Sequence, residues 1–99
     1  MSERFRKNLR WIMCDKGIGA TELARMMYPG GSTSLIETTR KRITRYLTGH
    51  TAIRLHNVHE IAAALGIPDK DLVYATYEEL RDRHGTIQTI KQNRSLKCL

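Results

Sequence analysis

The chain has 99 residues, with 17 Lys or Arg against 10 Asp or Glu and a formal charge of +7. A chain this short forms one domain with one small core, which argues against a deep enzyme cleft, and its 40% apolar and 27% charged residues exclude wholesale disorder. No apolar run approaches the ~20 residues of a membrane span and the first residues lack a signal-peptide apolar stretch, so a soluble, cytoplasmic protein is expected.

Apolar residues recur at helical spacing throughout, and no alternating run is long enough for a strand, so the expected class is all-α. Phe5, Leu9, Ile12 and Met13 carry a first helix that Gly17 stops. Gly19, answered by Glu22, caps a second helix running to Met27, and Pro29-Gly30-Gly31-Ser32 breaks it. Ser34 and Glu37 read as a capping box for a third helix, with Ile36, Ile43 and Leu47 on one stripe and Thr48-Gly49 at its end. A fourth helix is expected from about Arg54 to Leu65, with Leu55, Val58, Ile61, Ala62 and Leu65 facing inward. Gly66-Ile67-Pro68 leads into a short helical turn from Asp69 to Tyr74. Thr76 and Glu79 form another capping box, opening a helix through Tyr77 and Leu80 to His84, which Gly85 stops. Residues 86–99 fit neither the helical nor the strand template.

The charge is segregated. From Thr38 to Val58 there is no acidic residue, while Arg40, Lys41, Arg42, Arg45, Arg54, His50 and His56 all fall there. Such a run is often just a solvated helix face. Here it coincides with one helix, and that favours a phosphate-facing surface. On a wheel centred on Ile43, the residues Thr38, Lys41 and Arg45 oppose the apolar stripe, with Arg42 and Thr44 on the flanks. A helix about 10–12 Å across fits the DNA major groove, where base edges present distinguishable donors and acceptors.

Three pieces in order resemble the lambda-repressor-like helix-turn-helix family, the Cro-like and XRE-type regulators. They are Leu9…Gly17-Ile18-Gly19-Ala20-Thr21-Glu22-Leu23-Ala24, then Ile43-Thr44-Arg45-Tyr46-Leu47-Thr48-Gly49, then Leu55…Val58…Ile61-Ala62…Leu65-Gly66-Ile67. The resemblance covers about residues 5–74 and implies a five-helix DNA-binding domain whose third helix enters the major groove, usually as a dimer on a palindromic site. A helix-turn-helix unit at residues 1–75 and a C-terminal helix and tail at 76–99 follow. The family joins its second and third helices by roughly three or four residues, whereas about ten separate Met27 from Thr38 here. A wider turn and a recognition helix extended at its N-terminus are therefore expected. The family's base-contacting positions map onto Arg40, Lys41 and Thr44. The extension adds Thr38 and Thr39, and Arg42 and Arg45 complete the set. Phosphate contacts are expected from the Ala20 backbone N–H, the Thr21 hydroxyl, and Thr48, His50, Thr51 and Arg54. Where many members pair a buried arginine with a glutamate, this chain has Met13 and Leu47, an apolar pair expected to touch.

Other chemistry is poorly supported. His56 and His59 are three apart but lie off the apolar stripe, and no Cys/His set has a metal-ligand spacing. Cys14 and Cys98 read as reduced thiols without the acid partner of a nucleophile pair. Gly30-Gly31-Ser32 lacks the lysine of a phosphate loop. Trp11 reads as a core or rim residue, and Met13, Met26 and Met27 as core filler. No catalytic residue, metal or cofactor is expected. The leading expectation is a small bacterial or phage repressor that binds double-stranded operator DNA as a homodimer. Its interface would come from Leu72, Tyr74, Tyr77, Leu80, Ile87 and Ile90. The alternative is an antitoxin-type module that neutralises a protein partner through its C-terminal segment.

Overall fold

The structure, a computed structural model, describes residues 2–49 and 53–85. Among these residues there are six helices and no strand: α1 (Ser2–Lys16), α2 (Ala20–Met27), α3 (Thr33–Thr48), α4 (Leu55–Leu65), α5 (Asp69–Tyr74) and α6 (Tyr77–His84). The all-α expectation holds. None of these helices is long and apolar enough to cross a membrane.

Local signals set the helix ends. Gly17 takes a left-handed φ of +69°, which lets the Ile18 N–H reach back to the Met13 carbonyl at 2.9 Å and close α1. Gly49 ends α3 in the same region, with φ +80° and its N–H turned to the last-turn carbonyls. The Glu22 carboxylate accepts from the Gly19 N–H at 3.0 Å. At α6 both halves of the expected box form, Glu79 N–H to the Thr76 hydroxyl at 3.2 Å and Thr76 N–H to the Glu79 carboxylate at 2.9 Å.

The start of α3 differs from the reading. Ser32, not Ser34, is the cap, and its hydroxyl accepts from the Leu35 N–H at 3.1 Å. The Gly31 N–H turns back to the Tyr28 carbonyl, so the chain becomes extended at Ser32 and helical two residues earlier than the Ser34 box required. Five residues separate α2 from α3, and α3 begins at Thr33, ahead of Thr38.

Helix α2 packs on α3 and α4, while α1 packs on α3, α5 and α6. Phe5, Leu9, Ile12 and Met13 meet Leu23, Ile43, Ile61 and Leu72 in one core, with Ile36 and Leu47 half-buried against it. Two apolar assignments fail. Leu55 is 68% exposed, because at the first position of α4 it precedes the turn that contacts α2. Met26 is also exposed, since Leu23 and Ala24 carry the buried side of α2. Cys14 is disulfide-bonded, so the expectation of reduced thiols is not met: the number and spacing of cysteines do not report their redox state.

Polar contacts tie α5 and α6 to this core. Asn8 is buried on α1, and its amide donates to the carbonyls of Leu72 at 2.9 Å and Ala75 at 3.0 Å. It thereby supplies partners that a helix as short as α5 leaves unmade at its C-terminal end. Asp71, also buried, meets the His84 Nε2 at 2.8 Å and accepts from the Arg83 guanidinium at 3.0 Å. Beside them the Tyr77 ring meets Trp11 edge-on, with centroids 5.4 Å apart. These contacts overturn two interface assignments. Leu72 and Leu80 are fully buried in their own chain and have no surface to give a partner. Tyr74 and Tyr77 remain exposed, and Ile87 and Ile90 lie outside the described residues.

The bond from His84, and then the nearby Arg83 charge, hold the Asp71 carboxyl below its ordinary value. A depressed carboxyl stabilises the fold above its unfolded value of roughly 3.9, and the contribution disappears as pH falls through the folded value below that. Asp71→Asn should therefore lower the melting temperature at pH 5–7. The gap to the unsubstituted protein should close below about pH 4. Thermal melts across this range check it, and a gap that stays constant in acid contradicts the assignment.

Candidate nucleic-acid interface

Helix α3 is pinned from one side. Thr39, Ile43 and Tyr46, spaced four and three residues apart, are buried against α1 and α2. Ala24 on α2 is fully buried, and a side chain this small lets the helices approach closely. This overturns Thr39 as a base-contact residue: it is 1% exposed and its hydroxyl donates to the Leu35 carbonyl at 2.8 Å. A threonine satisfies its polar atom inside its own helix in this way and presents only a methyl group to the core.

The opposite face carries Thr38, Lys41, Thr44 and Arg45, all exposed. The Thr44 hydroxyl donates to the Arg40 carbonyl at 3.0 Å, so outward it offers acceptor lone pairs. Among the described residues, neither Lys41 nor Arg45 is paired with a carboxylate. Arg40 is different. Its Nε lies 3.2 Å from both carboxylate oxygens of Glu37, one turn earlier, and Nη2 adds a third bond. That bond from Arg40 is the main reason the Glu37 carboxyl lies below its usual range. The one acidic side chain near the ridge thus holds back one of its cations. Glu37→Gln should free Arg40, raise affinity for duplexes of arbitrary sequence and steepen the salt dependence by about one ion. Titrations at several salt concentrations check this, and an unchanged slope contradicts it.

The phosphate set is spread over three elements. Ala20 opens α2, where its N–H belongs to the unbonded first turn, although its methyl packs on the core; Thr21 follows, half-buried. Thr48 is exposed on the last turn of α3, its hydroxyl donating to the Thr44 carbonyl at 3.0 Å. Arg54 is exposed at the cap position of α4. His50 and Thr51 lie outside the described residues.

The structure also assembles a group whose members lie apart along the sequence. A cleft of about 480 Å³ opens between α3 and α4, lined by Tyr28, Arg42, Arg45, Tyr46, Arg54, His56, Asn57 and Glu60. Its floor is bonded: the Asn57 amide donates to the Tyr46 hydroxyl at 2.8 Å, and the Tyr28 hydroxyl donates to Glu60 at 3.1 Å. Burial pushes both phenols up, while Arg42 pulls both down, which places its positive charge near the two hydroxyls. The sequence signal was Tyr46 itself, three residues beyond Ile43 and so on the core side of α3. His56 pairs with Glu60 at 3.4 Å and His59 with Asp69 at 2.9 Å. Among the described residues no group of three potential ligands could hold a metal ion.

Comparison with protein-family models, curated proteins and solved structures finds no match to this chain.

Proposed function

We propose that the protein is a sequence-specific double-stranded DNA-binding regulator, with α2 and α3 acting as a lambda-repressor-like helix-turn-helix pair. One observation carries this reading. Helix α3 is fixed by Thr39, Ile43 and Tyr46 and presents Thr38, Lys41, Thr44 and Arg45 outward on a face whose one carboxylate, Glu37, is bonded to Arg40. A rigidly held helix with basic and small polar side chains outward meets the two needs of major-groove reading, positioning and donors for base edges. As a repressor of bacterial or phage type, it acts by occupying an operator.

One such helix reads few base pairs, so a homodimer on a palindrome is part of the proposal. Tyr74, 72% exposed, and Tyr77, half-exposed at the start of α6, are the described interface candidates that the fold leaves available. Selection of bound duplexes from a random library tests both parts. A palindromic motif with half-sites about one helical turn apart is expected. No enriched sequence would overturn the regulator reading, and an asymmetric single site would overturn the dimer.

A further inference from the structure

The α3–α4 cleft has a chemical bias that a generic basic surface lacks. Three arginines line it, Arg42, Arg45 and Arg54, and among the described residues none is in an ion pair with a carboxylate. Its single acidic side chain, Glu60, is already engaged by the Tyr28 hydroxyl and by His56. The floor adds donors. The Tyr46 hydroxyl accepts from Asn57 and so has its own O–H to give, and the Asn57 amide keeps a second N–H. Guanidinium forks, a phenol O–H and an amide N–H turned to one open space suit a group that only accepts and carries more than one negative oxygen.

We propose that this cleft is a binding site for a phosphate group, held by Arg42 and Arg54 with Tyr46 and Asn57 beneath. The site deepens the DNA-binding reading where the phosphate belongs to a duplex backbone, and stands apart from it where the phosphate belongs to a small phosphorylated compound. The chemistry is the same in both cases. Arg45 borders both the cleft and the outward face of α3, so an occupant of the cleft competes with duplex for that side chain.

The test uses the full chain and two probes, pyrophosphate and a random-sequence duplex, each followed by NMR on the Asn57 side-chain amide and the Tyr46 ring at constant ionic strength. Saturable shifts of these signals are expected. Arg42→Gln or Arg54→Gln should weaken the effect about tenfold, and Lys70→Gln, exposed on α5 away from both the cleft and the outward face of α3, should leave it unchanged. Arg54 is exposed, so its variant keeps the test valid if Arg42→Gln fails to fold. Shifts with pyrophosphate assign the site to a free phosphorylated compound. Shifts with duplex alone assign it to the DNA backbone. Silent cleft signals with both probes, or equal weakening by Lys70→Gln, overturn the proposal. Duplex binding with a silent cleft leaves the DNA-binding reading standing without it, while pyrophosphate binding without any duplex binding does the reverse.

Discussion

Leu80→Ala is expected to destabilise the protein by about 3 kcal/mol, within the ~2–5 kcal/mol seen for large-to-small changes at packed sites. Leu80 is completely buried although its helix is the last and shortest-connected of the described elements. Its side chain is carried into the core by contacts on either side, the Trp11–Tyr77 ring pair and the Asp71 links to Arg83 and His84. Leu80 belongs to the same buried core as Phe5, Leu9 and Leu72, so its truncation leaves a cavity in packed surroundings. For a domain of this size the melting temperature should fall by about 12 °C or more. Leu55→Ala, at an exposed position, should stay within ~0.5 kcal/mol and serves as the control. Urea unfolding of both variants decides the matter. A loss below about 1 kcal/mol for Leu80→Ala would mean that α6 does not belong to the cooperative unit.

Lys41→Ala and Arg45→Ala should each weaken binding to the selected operator by about tenfold to a few hundredfold. Both side chains are exposed on the outward face of α3, without a carboxylate partner, and Glu37 is committed to Arg40 rather than to them. The two kinds of contact separate by their pattern. A residue touching base edges loses affinity mainly for the selected sequence. One touching phosphate loses it evenly across sequences, and its removal lowers the salt slope by about one. Titrations with selected and scrambled duplexes at three salt concentrations distinguish these. Unchanged affinity for both variants, in folded protein, would remove α3 as the contact surface.

The sequence by itself determined the helices and where they stop. Gly17, Gly49 and Gly66 end helices by taking positive φ, and Glu22 and Glu79 each accept from the cap N–H three residues earlier, so all the information lies within one or two turns. It also determined that the acid-free stretch lies along α3, and that Lys41 and Arg45 oppose Ile43, since a helical wheel needs only spacing. Even the Glu37–Arg40 pair was legible in principle, being three residues apart on one helix. What lay beyond those few residues was decided by packing. The spacing of α3 allowed a stripe centred on Ile36, Ile43 and Leu47, but α1 and α2 approach from the side that buries Thr39 and Tyr46, and a threonine can enter because its hydroxyl bonds within its own helix. Leu55 and Leu80 are the same residue type with opposite fates, because α4 begins before its contact with α2 while α6 folds back over α1. Asn8 reaches carbonyls 64 and 67 residues away. The basic cleft joins Tyr28 at the end of α2, arginines of α3 and side chains of α4. Contacts at such separations leave no local pattern, since any polar residue facing the right carbonyl or hydroxyl would satisfy it, and only the arrangement of helices in space selects the partner.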